Sequence, residues 1–210
     1  GKSWEQIQKD MSEFTKESLI SFSDLGFPIS SFFRGRILRR ILRKIFSNMQ
    51  FCDMGIPLRI VTFDFLRRKT KVIDSGYVWE AVLSSCAMPG IFKPINNKEG
   101  LFMDGGILSP LPVDVLIFEG VDKIISVNVT PYRDEVYNLH QERTLKKKFN
   151  ILDFIFGSIE TMQSEFIGKS VSLSDISIHP YLADLSWTDF KNLDAFVERG
   201  YKAASLKEED

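Results

Sequence analysis

The stretch Leu101–Pro112, LFMDGGILSPLP, constrains this chain more than any other. Three apolar residues lead into Asp104, and Gly105 and Gly106 follow at once. Two residues without side chains give a strand nothing to pack, so the strand must end at Asp104 in a tight turn with open backbone around it. A carboxylate held in such a place suits a role in which it meets a substrate or another side chain. The same residues also read as an ordinary Asp-Gly turn, since that pair is a common turn former. The stretch alone does not choose between the two.

The rest of the chain supplies a frame of alternating helices and strands. Residues 3–20 read as an amphipathic helix with Ser3 as N-cap and Ile7, Met11, Phe14 and Leu19 on one side. A loop with Gly26 and Pro28 follows, and then Ile37, Leu38, Ile41, Leu42, Ile45 and Phe46 recur at helical spacing. PLRIVTFDF (57–65) reads as a strand entered at Pro57, and KVIDS (71–75) is close enough to pair with it as a hairpin. Residues 77–86 read as a helix stopped by Pro89-Gly90, and IFKPI and LFMDGG as short strands separated by a turn near Asn96-Asn97. VDVLIFEG (113–120) reads as a helix ended by Gly120, and KIISVNVT (123–130) as a strand buried on both faces. Residues 132–148 form a polar loop, and NILDFIFGSIETMQSEFIG, from Asn150, reads as a long apolar-faced helix. DISIHP (175–180) is a short strand, and a helix runs from Thr188 to about Leu206. The alternation predicts an α/β class.

Composition narrows the function. Of 210 residues, 44% are hydrophobic and 26% charged, which excludes a disordered tail, a collagen-like chain and a coiled coil. Lysine and arginine total 27 against 28 acids, so no nucleic-acid partner is expected. Cys52 and Cys86 are too few for a disulfide framework and point to a reducing compartment, so a cytoplasmic location is expected. No apolar run approaches the roughly 20 residues that span a bilayer. No His/Cys/Asp cluster has metal-ligand spacing, so neither metal nor cofactor is expected. Gly1-Lys2-Ser3 mimics the end of a phosphate-binding loop but lacks the glycines before it.

Around Asp104 the sequence carries a wider pattern. Ser84-Ser85-Cys86-Ala87-Met88-Pro89-Gly90-Ile91-Phe92-Lys93-Pro94 stands upstream and Pro110-Leu111-Pro112-Val113-Asp114 downstream. Together with Asp-Gly-Gly these resemble the patatin-like phospholipase family. There an S-C-A-x-P-G-x-F-x-P segment leads into a strand, then D-G-G/A, then a P-x-P-V helix start. PLRIVTFDF with VIDSG, and the carboxy-terminal run from DISIHP to Ala204, extend the likeness from about Pro57 to Ala204, with a gap over 132–148. The resemblance implies a three-layer α/β/α patatin-like fold with a mostly parallel sheet. It implies a lipid acyl hydrolase using a Ser–Asp dyad, with Asp104 as the dyad aspartate and Gly105 and Gly106 as its turn glycines. The family's serine sits in a G-x-S-x-G elbow and its oxyanion hole in a glycine-rich loop, and neither occurs in these 210 residues. Residues 1–210 are therefore expected to be one patatin-like domain lacking its amino-terminal part.

A dyad suits this chain chemically. A serine hydroxyl needs a base to take its proton, and a carboxylate becomes a competent one when burial raises its value from about 3.9. Leu101, Phe102, Met103, Ile107 and Leu108 offer apolar surroundings for that. Histidine, the commonest base, is represented only by His140 in the polar loop and His179 at a strand end, and neither is an expected base.

A second feature is FFRGRILRRILRKIF (32–46), with Arg34, Arg36, Arg39, Arg40, Arg43 and Lys44 and no acid. Its cations lie opposite its apolar stripe. The outer face is either a solvated surface over a core-packing helix or a peripheral contact with an anionic membrane through Arg36, Arg39, Arg40, Arg43 and Lys44. Phe22, Phe27, Phe32 and Phe33 just before it suit an acyl site, lipid insertion or the core. The expected partner is a lipid or acyl-ester substrate. The rival readings are a non-catalytic membrane-associating module of the same fold and a non-lipid carboxylesterase.

Overall fold

The computed structural model describes residues 3, 5–7, 9, 33, 35–132, 134–135, 151–185 and 192–207. The expected first helix falls largely outside them. Residues 5–7 and 9 are helical, and Ser3 and Gln6 cap reciprocally: Gln6 N–H donates to Ser3 Oγ at 3.4 Å and Ser3 N–H to Gln6 Oε1 at 2.9 Å. Phe22, Phe27, Phe32, Arg34 and His140 also lie outside the described residues. The chain forms two compact units, Gly1–Leu108 and Ser109–Asp210.

In the first unit, helix α1 (Arg36–Phe46) follows Gly35, whose φ of 71° places it in the left-handed region that glycine tolerates. The predicted stripe behaves as expected: Leu38, Ile41 and Leu42 are buried while Arg36, Arg39, Arg40, Arg43 and Lys44 are exposed. Arg43 and Lys44 occupy the last turn, where the helix dipole favours cations. Strands β1 (Ile60–Asp64) and β2 (Lys69–Ile73) form the predicted hairpin, antiparallel, with Ile60 opposite Ile73 and Asp64 opposite Lys69. Helix α2 (Val78–Ser85) packs on α1 and on β1. Its Val78 and Ala81 join Phe51 in a core that takes in Leu58, Ile60 and Ile73. Strands β3 (Ile95–Asn97) and β4 (Gly100–Asp104) complete a sheet of order β2-β1-β4-β3.

This sheet is antiparallel throughout. The expected parallel arrangement does not appear in it, and for two of its three pairings the reason is chain length. The β1–β2 and β3–β4 connections span only four and two residues (65–68 and 98–99), and parallel neighbours need a crossover of about a dozen. The tight turn sits slightly later than expected, where Asn97 Oδ1 accepts from the N–H groups of Glu99 and Gly100 at 2.9 and 3.2 Å.

Asp64, only 2% exposed, stitches both turns of this sheet. Its Oδ1 accepts from the N–H of Leu66 and Arg67 at 3.0 and 3.1 Å, and its Oδ2 from Arg67 Nη1 at 2.7 Å. The same Arg67 nitrogen donates to Glu99 O at 2.8 Å, joining the β1–β2 turn to the β3–β4 turn. The Arg67 guanidinium and the two backbone donors hold the Asp64 carboxyl below its usual value.

The second unit holds helix α3 (Val113–Glu119), ended as predicted by Gly120 with φ 73°, and strand β5 (Ile125–Val127). Helix α4 (Ile151–Ser172) crosses to strand β6 (Ile176–Ile178), which pairs with β5 in parallel, and helix α5 (Leu193–Ser205) follows. Among the described strands, parallel pairing thus occurs in a strand–helix–strand unit whose helix is long enough to return the chain, and an isolated parallel bridge joins Phe33 to Phe92 in the first unit. Leu111, Val113, Ile124 and Ile167 form its core, with Tyr132 and Val171 against it. The expectation that β5 is buried on both faces is not met. Ile125 is 61% exposed and Val129 62%, while Ser126 and Asn128 on the alternate side are buried. Successive side chains point to opposite faces, and the face carrying the apolar residues is the uncovered one.

Candidate functional site

Asp104 is the last residue of β4, opposite Thr62 of β1. Its backbone N–H donates to Ala87 O at 3.0 Å. The chain then turns into a 3-10 segment, Gly105–Ile107, which Asp104 caps: Oδ1 accepts from Gly106 N–H at 2.8 Å. Gly105 is required here by a close approach, because a β-carbon on it would stand 2.3 Å from Val61 O and 2.7 Å from Val61 C. The turn glycine lets β4 end directly on the β1 backbone and leaves Asp104 half-buried at that end.

The surroundings are apolar. Phe102 is fully buried, and Leu101, Met103, Ile107 and Leu108 are half-buried. Burial pushes the Asp104 carboxyl above its ordinary value, and the single Gly106 N–H opposes this without reversing it. The contrast with Asp64 is physical. That carboxylate meets two backbone donors and a guanidinium and is pulled down; Asp104 meets one donor and is pushed up. The Cys86 thiol lies close enough to feel Asp104. Burial first, and the Asp104 charge second, push its pKa up to about 11, so it stays a neutral thiol around neutral pH. Cys52 and Cys86 are both free thiols.

The Ser85-Cys86-Ala87 run has a task that its sequence does not reveal. Ser85 Oγ donates to Val61 O at 2.9 Å, and Ala87 O receives Asp104 N–H. In the sequence these residues show the end of a helix before Pro89-Gly90 and part of the family pattern, and neither points to the Val61 and Asp104 backbones as their partners.

The structure gathers Asp104, Gly105 and Gly106 into one turn and places the five cations as a separate group on the outward side of α1. Arg43 lies over the Trp79 ring, 4.7 Å from its centroid. Phe33 is half-buried and bonds in register with Ile91 and Lys93, its ring 6.3 Å from that of Phe92. A cleft of about 300 Å³ opens beside Arg39, Lys71, Tyr77, Glu80 and Asn96. Asp104 does not line it.

His179, expected to be structural or exposed, is a structural hub of the second unit. Its Nε2 lies 3.1 Å from both Glu135 carboxylate oxygens, its Nδ1 3.1 Å from Asn128 Nδ2 and O, and its ring centroid 4.1 Å from that of Tyr132. Nothing in the sequence pairs residues 44 positions apart. Among the described residues no group of three His, Cys, Asp or Glu is placed to hold a metal ion, and no helix is long and apolar enough to cross a membrane.

Comparison with known proteins agrees with the family resemblance. The family model described as Patatin-like phospholipase matches residues 1–117. Over 108 residues, half of this chain, it is 32% identical to human (Homo sapiens) patatin-like phospholipase domain-containing protein 6, covering 8% of that protein. Over 132 residues, 62% of this chain, it is 33% identical to patatin-like phospholipase domain-containing protein 7 of Rattus norvegicus, covering 9% of it. Over 107 residues it is 29% identical to Lysophospholipase NTE1 of Mycosarcoma maydis, covering 6% of that protein. The chain thus matches less than a tenth of the length of each of these relatives. With the family model matching more than half of its length, the chain belongs to the patatin-like phospholipase family, and its fold class is α/β.

Proposed function

We propose that the protein hydrolyses carboxylic ester bonds of acyl lipids, with Asp104 as the general base of a Ser–Asp dyad. The observation that carries this reading is the half-buried Asp104 carboxyl, raised by burial, at a strand end whose geometry only glycine permits at the next position. The names of the relatives, phospholipases and a lysophospholipase, support a lipid ester as substrate. No G-x-S-x-G occurs in the 210 residues, so the reading takes the serine, and the remaining layers of a three-layer α/β/α domain, from residues outside them.

In this scheme Gly106 N–H holds Oδ1, and Oδ2 takes the proton of the serine hydroxyl as its oxygen bonds to the ester carbonyl carbon. The protonated carboxyl then returns the proton to the departing alcohol, leaving an acyl-serine. Water, deprotonated by the same carboxylate, releases the acid and restores the serine. A raised pKa helps both halves, because it makes the carboxylate a stronger base and keeps the proton available for the leaving group. Neither His140 nor His179 is needed, and His179 is already engaged by Glu135 and Asn128.

The exposed cations of α1 suit a peripheral contact with an anionic lipid surface. Because its apolar residues are committed to the core, this contact is electrostatic rather than inserted. In the full-length protein, Asp104→Asn abolishes hydrolysis of an acyl lipid while the circular dichroism spectrum stays native. Near-normal turnover by the variant overturns the assignment. Vesicle binding without any hydrolysis by the unmodified protein favours the non-catalytic module, and cleavage confined to short soluble esters favours the carboxylesterase.

A further inference from the structure

We propose that Ser85 is a positioning residue for Asp104: together with Ala87 it ties the end of α2 to β4, which carries the carboxylate, and to β1 beside it, with Cys86 shielding that side from water. The proposal rests on the reading of Asp104 as the base.

The register carries the argument. Thr62 of β1 stands opposite Asp104 of β4, so the next pair in an antiparallel ladder would be Val61 and Gly105. That pair does not form as strand, because Gly105 turns into the 3-10 segment while its Cα lies against the Val61 carbonyl. The ladder ends at the pair that contains the base, and a strand end is where backbone frays first. Ser85 meets this weakness directly, its Oγ donating to that same Val61 carbonyl at 2.9 Å. Two residues later Ala87 O accepts the Asp104 N–H at 3.0 Å. Three consecutive residues therefore bridge β1 and β4 where the ladder stops. Cys86, between the two tethers in sequence and half-buried, is a neutral thiol near enough to feel the charge of Asp104. It offers far weaker hydrogen bonding than a hydroxyl or water, which leaves the carboxylate poorly solvated and basic.

A merely structural serine and a positioning serine differ in what they change. Loss of a structural bond lowers the melting temperature and the yield of active protein. Loss of a positioning bond also lowers turnover per active site and lets water reach the carboxylate.

The test uses the full-length protein and a soluble ester, with rates referred to titrated active sites. Ser85→Ala is expected to lower kcat by about tenfold or more with KM changed less than about twofold. It is also expected to move the acid limb of the pH–rate profile down toward the ordinary carboxylate value of about 3.9. Ser85→Thr, which keeps the hydroxyl, restores both. A Ser85→Ala variant with unaltered kcat and acid limb overturns the proposal, as does a Ser85→Thr variant equally impaired. Should Ser85→Ala fail to fold, Cys86→Ser and Cys86→Ala decide. The serine, bringing an O–H donor beside the carboxylate, lowers the acid limb and the alanine does not; identical profiles overturn the proposal. Asp104→Asn separates the two levels: an active variant removes the base and the tether with it, whereas an inactive one beside an unimpaired Ser85→Ala removes the tether alone.

Discussion

A β-carbon at Gly105 would stand 2.3 Å from the carbonyl oxygen of Val61. That approach, between the turn after β4 and the backbone of β1, leaves no room for any side chain. Gly105→Ala is therefore expected to destabilise the protein by about 2–4 kcal/mol, because the clash is with backbone and neither strand end can shift without breaking the Asp104 and Ser85 tethers. Gly157, inside α4 with nothing within 4 Å of a built β-carbon, is the matched control. Gly157→Ala is expected to stabilise by up to about 1 kcal/mol through helix propensity. Urea unfolding of the two variants beside the unmodified protein checks both signs.

The Asp64 and Asp104 carboxyls are displaced in opposite directions from their ordinary value, and stability should follow. Asp64 is depressed, so its contribution is present above its unfolded value and is lost as pH falls through the lower folded value. Asp64→Ala is expected to lower the melting temperature at neutral pH, with the gap to the unmodified protein narrowing as pH falls through that range. Melting curves from neutral to strongly acid pH measure it. A gap constant with pH would show that Arg67 and the two backbone donors do not bind the ionised form preferentially.

The cations of α1 give a prediction about surfaces. Arg39 and Arg40 are exposed on the side of the helix away from Leu38, Ile41 and Leu42. Replacing both by alanine is expected to weaken partition onto vesicles containing phosphatidylserine by about 30-fold at low salt, at roughly 1 kcal/mol per cation. Phosphatidylcholine vesicles should bind weakly and show little change. Binding that ignores both the lipid charge and the ionic strength contradicts an electrostatic contact.

Much of the frame was legible because local chemistry decided it. The stripe from Leu38 to Phe46, the hairpin of β1 and β2, the helix before Pro89-Gly90 and the stop at Gly120 each follow from periodicity or from a residue with restricted backbone. The strand end at Asp104 was legible for the same reason, two glycines in succession. The mostly parallel sheet that the family resemblance implies is not seen in the first unit, where the short 65–68 and 98–99 connections permit only antiparallel pairing. The faces of β5 were misjudged because an apolar run does not say which side is covered. The partners of Asp104 were hidden for a different reason. Ser85 acts on Val61, 24 positions away, and the Glu135–His179 contact spans 44. Such pairs are created by the fold and leave no spacing signal.

Burial raises the Asp104 carboxyl, so the folded state holds that proton more tightly than the unfolded chain does. This group favours folding most below the unfolded value, and its contribution declines as pH rises through the folded value. Asp104→Asn should therefore cost no stability at neutral pH, which separates a loss of turnover from a loss of fold. The most direct measurement is the titration of the Asp104 carboxyl carbon by NMR in the full-length protein, assigned by its absence in Asp104→Asn. A midpoint clearly above the ordinary value of about 3.9 is the predicted result. A midpoint at or below it would contradict the account, because a carboxylate that weak cannot serve as the base.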